Sequence, residues 1–232
     1  MASPQNPPYG TPEAPLLTVR GEAELEVDPE IARIGITLTA RGRDRRTTLD
    51  DLTRRNTTTL DLIKSYGDAV ENLSTGSISL TPELTHRGRG ERVRTYHGTI
   101  RLTAELTDFT ALGELTTRLA DLDLTTIEGP TWELRPTSPV HRRARQQAVR
   151  EAVQRADEYA EALGTTVAAL LELADTGTNG RPRAAFDRRA VRFSMAATDT
   201  EAAAPEPLDL EPQRIQIHAE VSAQFTMHPP NR

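Results

Sequence analysis

The chain contains no cysteine, which excludes disulfides, thiolate nucleophiles and thiolate metal ligands. Lys64 is the only lysine among 28 Lys and Arg residues, so its basic chemistry is almost wholly guanidinium. Aromatic residues make up 4% of the chain, so an interior must be built from Leu, Ile, Val and Ala, and a deep aromatic pocket is not expected. No apolar run approaches the roughly 18 residues of a membrane-crossing helix. The start, MASPQNPPYGTPEAP, has neither the basic nor the apolar part of a secretion signal. The expectation is a cytoplasmic protein with no membrane span. No G-x-S-x-G elbow, phosphate-binding P-loop or dinucleotide fingerprint occurs. The net charge of −6 is opposite to that of a typical nucleic-acid binder, so nucleic acid is not an expected partner.

What is present is long alternation. Residues 1–15 hold five prolines and little that could be buried, and read as a disordered tail. Leu17, Val19, Gly21, Ala23, Leu25 and Val27 then fall on one face of a strand, and Ala32, Ile34, Ile36, Leu38 and Ala40 on one face of the next. A turn centred on Pro29-Glu30 would pair Leu25 with Ile34, Ala23 with Ile36 and, on the outer face, Glu26 with Arg33. The expectation is an antiparallel hairpin.

Arg45 to Tyr66 reads as a helix with Leu49, Leu52, Leu60 and Ile63 on its stripe and Gly67 as its stop. Asn56 falls on that stripe and is expected to hydrogen-bond a neighbouring loop or strand end. A second hairpin pairs Ile78–Leu84 with Tyr96–Leu106 around the tip RGRGER. Asp108 can cap a helix with the stripe Phe109, Leu112, Leu115, Leu119 and Leu122. Thr125 to Arg135 reads as a strand. The longest helix, from Pro139 to Leu163, repeats Ala144, Ala148, Ala152, Ala156 and Ala160, which lets its backbone approach a neighbour closely, and Gly164 ends it. Leu170–Ala174 reads as a short strand, 176–207 as a mobile insertion, and Ile215 to Phe225 as a last strand. The order ββα-ββα-β-α-ββ defines an α+β fold with mainly antiparallel sheets in two-layer lobes. One lobe is expected to join 16–67, 138–175 and 208–227, the other to span 68–137.

These residues resemble the SIMPL-domain family, a bacterial family that includes periplasmic immunogenic proteins. The likeness rests on TVRGEAELEVDPEIARIGI with Gly21 and Pro29, on Asn56 in the first helix, on ENLSTGSISLTP (Glu71 to Pro82, with Asn72 where Asp is more usual), and on RADEYAEALG ending at Gly164. It covers roughly residues 16–175 and the final strand. Two features depart from it: many relatives carry a secretion signal, and 176–207 is unusual in its Arg and Phe content. Members are not generally known as enzymes and are described as oligomer-forming and linked to stress responses. The resemblance therefore implies a non-catalytic, self-assembling or scaffolding protein, with Gly21, Pro29, Asn56 and Gly164 as structural positions.

The residues themselves point the same way. His86 and His97 should lie on opposite faces of their hairpin, and no His pair has zinc-protease spacing. Glu22, Glu24 and Glu26 read as a solvated strand face rather than paired catalytic acids. No catalytic, cofactor-binding or metal-ligating residue is assigned. The insertion RPRAAFDRRAVRF sets Arg181, Arg183, Arg188, Arg189 and Arg192 among Phe186 and Phe193. That pattern could grip an acidic partner or nucleic acid, although the acidic stretch Asp199 to Glu211 can balance it. The expectations are thus a homo-oligomer, a docking module using 178–205 as the alternative, and a hydrolase without a recognisable signature as the third.

Overall fold

The computed structural model describes residues 10–85, 92–180 and 208–230. Its elements run β1 (Leu16–Val27), β2 (Ile31–Gly42), α1 (Arg45–Lys64), a 3-10 turn (Gly67–Ala69), β3 (Val70–Thr85), β4 (Arg92–Leu106), α2 (Phe109–Ala120), β5 (Thr125–Glu133), α3 (Pro139–Ala162), β6 (Val167–Gly180) and β7 (Ile215–Met227). This is the α+β order read from the sequence. The final strands are longer than expected: β6 continues through residues assigned to the insertion and ends at Gly180.

The strands form two antiparallel sheets, ordered β1-β7-β6 and β3-β4-β2-β5. The expected opening hairpin does not form. β1 pairs with β7 from Leu16↔Thr226 to Val27↔Ile215, while β2 pairs with β4 and β5. Leu25 therefore opposes Ile217, Ala23 opposes Ala219 and Glu26 opposes Gln216. Arg33 is instead held by two carboxylates of its own sheet, with Nη2 2.8 Å from Glu105 and Nη1 2.8 Å from Glu133. Both pairings bury the same faces, so alternation alone does not choose between them.

The chain divides into two compact units accordingly. One holds β1, α3, β6 and β7; the other holds β2 to β5, α1, α2 and residues 208–213. The boundary expected near residue 67 falls between Asp28 and Pro29, so β2 and α1 belong with the second hairpin rather than with the long helix.

In the first unit α3 lies chiefly over β1 and β7. Ser138 caps it, with Pro139 in the first turn. It ends with Gly164 at φ +67°, where the Gly164 amide donates to Glu161 and the Thr165 amide to Ala160. All five alanines of its stripe are buried. Each presents only a methyl group, so the helix backbone comes down onto Gly21. Val19, Ala23, Ile217, Val221 and Phe225 complete this interior.

In the second unit β2 is central and buries Ala32, Ile34, Ile36, Leu38 and Ala40. Asp44 caps α1, its carboxylate accepting from the amides of Arg46 and Thr47 at 2.9 Å each. Asp108 caps α2 in the same way. Leu112, Leu115 and Leu119 of α2 are fully buried, each contributing about 2 kcal/mol of transfer free energy. Phe109 meets Trp132 edge-on at 4.8 Å. Two expectations for α1 fail. Leu49 is exposed, its place on the buried face taken by Thr48. The Oδ1 of Asn56 is buried with no hydrogen-bond partner among the described residues, so the expected tie does not form.

Candidate functional site

Each sheet has two edges, and a bare edge offers a row of unpaired N–H and C=O groups to another chain. Three of the four are interrupted. β3 carries irregularities at Val70/Asn72, Thr75/Ile78 and Glu83/Leu84, and contains Pro82. On β5, Gly129 and Pro130 form a bulge where β2 passes from Arg33 to Gly35. β6 is irregular at Val167/Ala169, Leu170/Glu172 and Asp175/Gly177. β1 differs: its pairing to β7 runs residue for residue over all 12 positions, with no bulge and no proline.

The hydrogen bonds fix which groups of β1 face outward. The Met227 amide donates to the Pro15 carbonyl opposite it at 2.9 Å, so odd-numbered residues of β1 bond to β7. On the far side of β7, Thr176 Oγ1 donates to the Glu220 carbonyl at 2.9 Å, which places the even-numbered groups of β7 towards β6. By the alternation of an antiparallel ladder, Thr18, Arg20, Glu22 and Glu24 turn their backbone N–H and C=O to the free edge. Among the described residues no strand pairs with that edge.

Side chains of the same even-numbered residues form the exposed face of the sheet. Arg20 Nε lies 3.3 Å from Glu220 Oε1. Glu22 stands directly opposite Glu220, so its neighbour across the ladder has its own charge. His218 lies 3.9 Å from both Glu24 and Glu220, and Arg214 reaches Glu26 and Asp28. Glu22, Glu24 and Glu26 thus form the solvated face that the sequence indicates.

Elsewhere the titratable groups serve local structure. The Thr47 amide hydrogen bond holds Asp44 below the usual carboxylate range, aided by the Arg46 amide. A hydrogen bond from Arg55 does the same for Asp51. The Thr95 hydroxyl, and then Arg41, lower Glu83. His97 is exposed on β4, His228 follows β7, and His141 lies at the start of α3. There, with Pro136, Ser138, Arg142 and Arg145, it lines an open depression of about 600 Å³ without an acidic residue. Among the described residues no group of three or more His, Asp or Glu is placed to hold a metal ion. No described helix is long and apolar enough to cross a membrane.

Arg181, Arg183, Phe186, Arg188, Arg189, Arg192 and Phe193 lie outside the described residues, as does His86. Of the expected structural positions, Gly21 and Gly164 occupy the sites that need glycine, Pro29, in the link that follows β1 in the chain, is buried, and Asn56 is only part-buried. The free edge of β1 was hidden from sequence reasoning by the assumption that β1 pairs with β2. A signal did exist, because Ile215–Phe225 alternates over a length that matches β1.

The SIMPL family, described as a protein of unknown function (DUF541), matches residues 17–225. The chain belongs to the SIMPL family. The match spans nearly all of the 232 residues, from Leu17 in β1 to Phe225 in β7, so both units are parts of one SIMPL region. No curated protein matches the chain.

Proposed function

We propose that this SIMPL protein is non-catalytic and acts by assembly, with copies of itself or as a scaffold for a protein partner, and that its role is connected with a stress response. The observation that carries the assembly reading is the unbroken edge of β1, which no strand among the described residues pairs with, against three interrupted edges. Strand edges left regular over 12 residues favour pairing with another chain. The sequence also supplies no lysine or proline within β1 that would discourage it. The apolar surface agrees: Leu170 and Leu173 on β6, Val153 and Tyr159 on α3, and Leu163 at the C-terminal cap of α3 are all about half exposed. The likeness to SIMPL proteins, described as oligomer-forming, points the same way and is the ground for the stress connection.

Light scattering on the eluting protein tests the assembly reading. The expected result is a mass well above the 25.5 kDa of one chain, rising with concentration. A mass of one chain at every concentration rejects it for self-association, and leaves scaffolding to be sought by co-purification.

A further inference from the structure

We propose that two copies of this chain pair through β1 in antiparallel fashion about a two-fold axis at Gly21, joining two three-stranded sheets into one. This inference rests on the assembly reading and names its partner and its register.

The backbone restricts the choices. Only even-numbered residues of β1 present outward N–H and C=O groups, so a second β1 can shift only in two-residue steps. Side-chain charge then separates the registers. With the axis at Gly21, Arg20 faces Glu22 of the other copy, twice by symmetry, and Thr18 faces Glu24. One step in one direction sets Glu22 against Glu22. One step in the other sets Arg20 against Arg20. Two steps towards the acidic end bring Glu22 against Glu24. The Gly21-centred register alone among these gains opposite charges and meets no like pair. It also gives Glu22 a cation that its own sheet does not place opposite it, since its neighbour on β7 is Glu220.

The apolar faces agree in this register. Val19 meets Ala23, and Leu17 meets Leu25, both on the face that α3 covers within each copy. The two copies of α3 then lie on the same face of the joined sheet. α3 carries exposed apolar side chains on both flanks of its alanine stripe, Val153 on one and Tyr159 on the other, the latter followed by Leu163 at the helix's C-terminal cap. An isologous contact of this kind closes on itself and stops at two copies, so it does not propagate into fibres.

Charge reversal tests the register. Arg20→Glu places two glutamates opposite each other, and Glu22→Arg places two arginines opposite each other. The double variant Arg20→Glu/Glu22→Arg restores opposite charges. Dimer dissociation constants are measured by sedimentation equilibrium, with circular dichroism as the check on folding. Each single reversal should weaken association about 10-fold or more, and the double variant should recover most of that loss. Thr18→Pro is a second probe. It removes an outward N–H and leaves the ladder to β7 intact, so it should also weaken association in a folded chain. If the wild-type chain associates but all four variants associate equally well, the β1 pairing is wrong and the assembly reading stands. If the wild-type chain is monomeric throughout, the β1 pairing and the self-association half of the assembly reading are both wrong, and only scaffolding of a different protein is left.

Discussion

A Cβ on Gly21 would stand 2.0 Å from the carbonyl oxygen of Ala148 and 2.5 Å from the amide nitrogen of Ala152. Backbone meets backbone there, with the alanine stripe of α3 on one side and a bare Cα on the other. No flexible side chain can move aside, so the helix itself would have to lift.

Gly21→Ala should therefore destabilise the chain by about 1–3 kcal/mol, the usual cost of forcing an extra methyl group into a packed contact. Gly35→Ala is the matched control: its Cβ would meet nothing closer than 3.8 Å, so it should be neutral or mildly stabilising. Urea denaturation of the two variants should separate them clearly.

Asn56→Leu should raise stability by about 1 kcal/mol, because the buried Oδ1 has no hydrogen-bond partner among the described residues and its removal relieves a desolvation cost. Asn56→Asp should lower stability at neutral pH by placing charge at the same point. Thermal melts of the pair give the comparison.

Gly113→Ala should loosen the segment that follows the insertion. A Cβ there would lie 2.1 Å from the Leu208 carbonyl oxygen. The Leu208 amide donates to Thr117 Oγ1 at 3.1 Å, and Leu210 packs on the second unit's core. The expected readout is faster exchange of the Leu208 amide, with a loss of about 1–3 kcal/mol in the denaturation midpoint energy.

Acid should weaken the chain through Asp44, Asp51 and Glu83, whose carboxylates are all held below their ordinary values. A depressed folded-state pKa gives stability that is fully present above the unfolded values of 3.8 and 4.5 and is lost as pH falls through the folded values. Asp44→Asn keeps the cap on α1 but removes one titration. Its stability should fall less steeply than that of the wild type below about pH 4, in denaturation curves taken across the acid range.

The elements were legible because each writes its own period into the chain. Leu112, Leu115 and Leu119 announce α2, and Ala144 to Ala160 announce the buried face of α3. Partners were not legible. β1 presents the same buried set, Val19, Gly21 and Ala23, whether the strand beside it is β2 or β7. The apparent Glu26–Arg33 match was a local coincidence; the cross-strand partner of Arg33, Glu105, lies 72 residues away. Leu49 misled for a related reason, since an apolar residue at the margin of a helical stripe can sit on either side of the waterline. The free edge is a property of pairing rather than of any residue, and so it emerged only with the sheets in view.

Hydrogen exchange at individual β1 amides, followed from dilute to concentrated protein, tests the central claim most directly. The account predicts that Val19, Gly21 and Ala23, which bond to β7, exchange slowly at every concentration, while Thr18, Arg20, Glu22 and Glu24 become slow only as the protein is concentrated. Fast exchange of those four amides at all concentrations would contradict it.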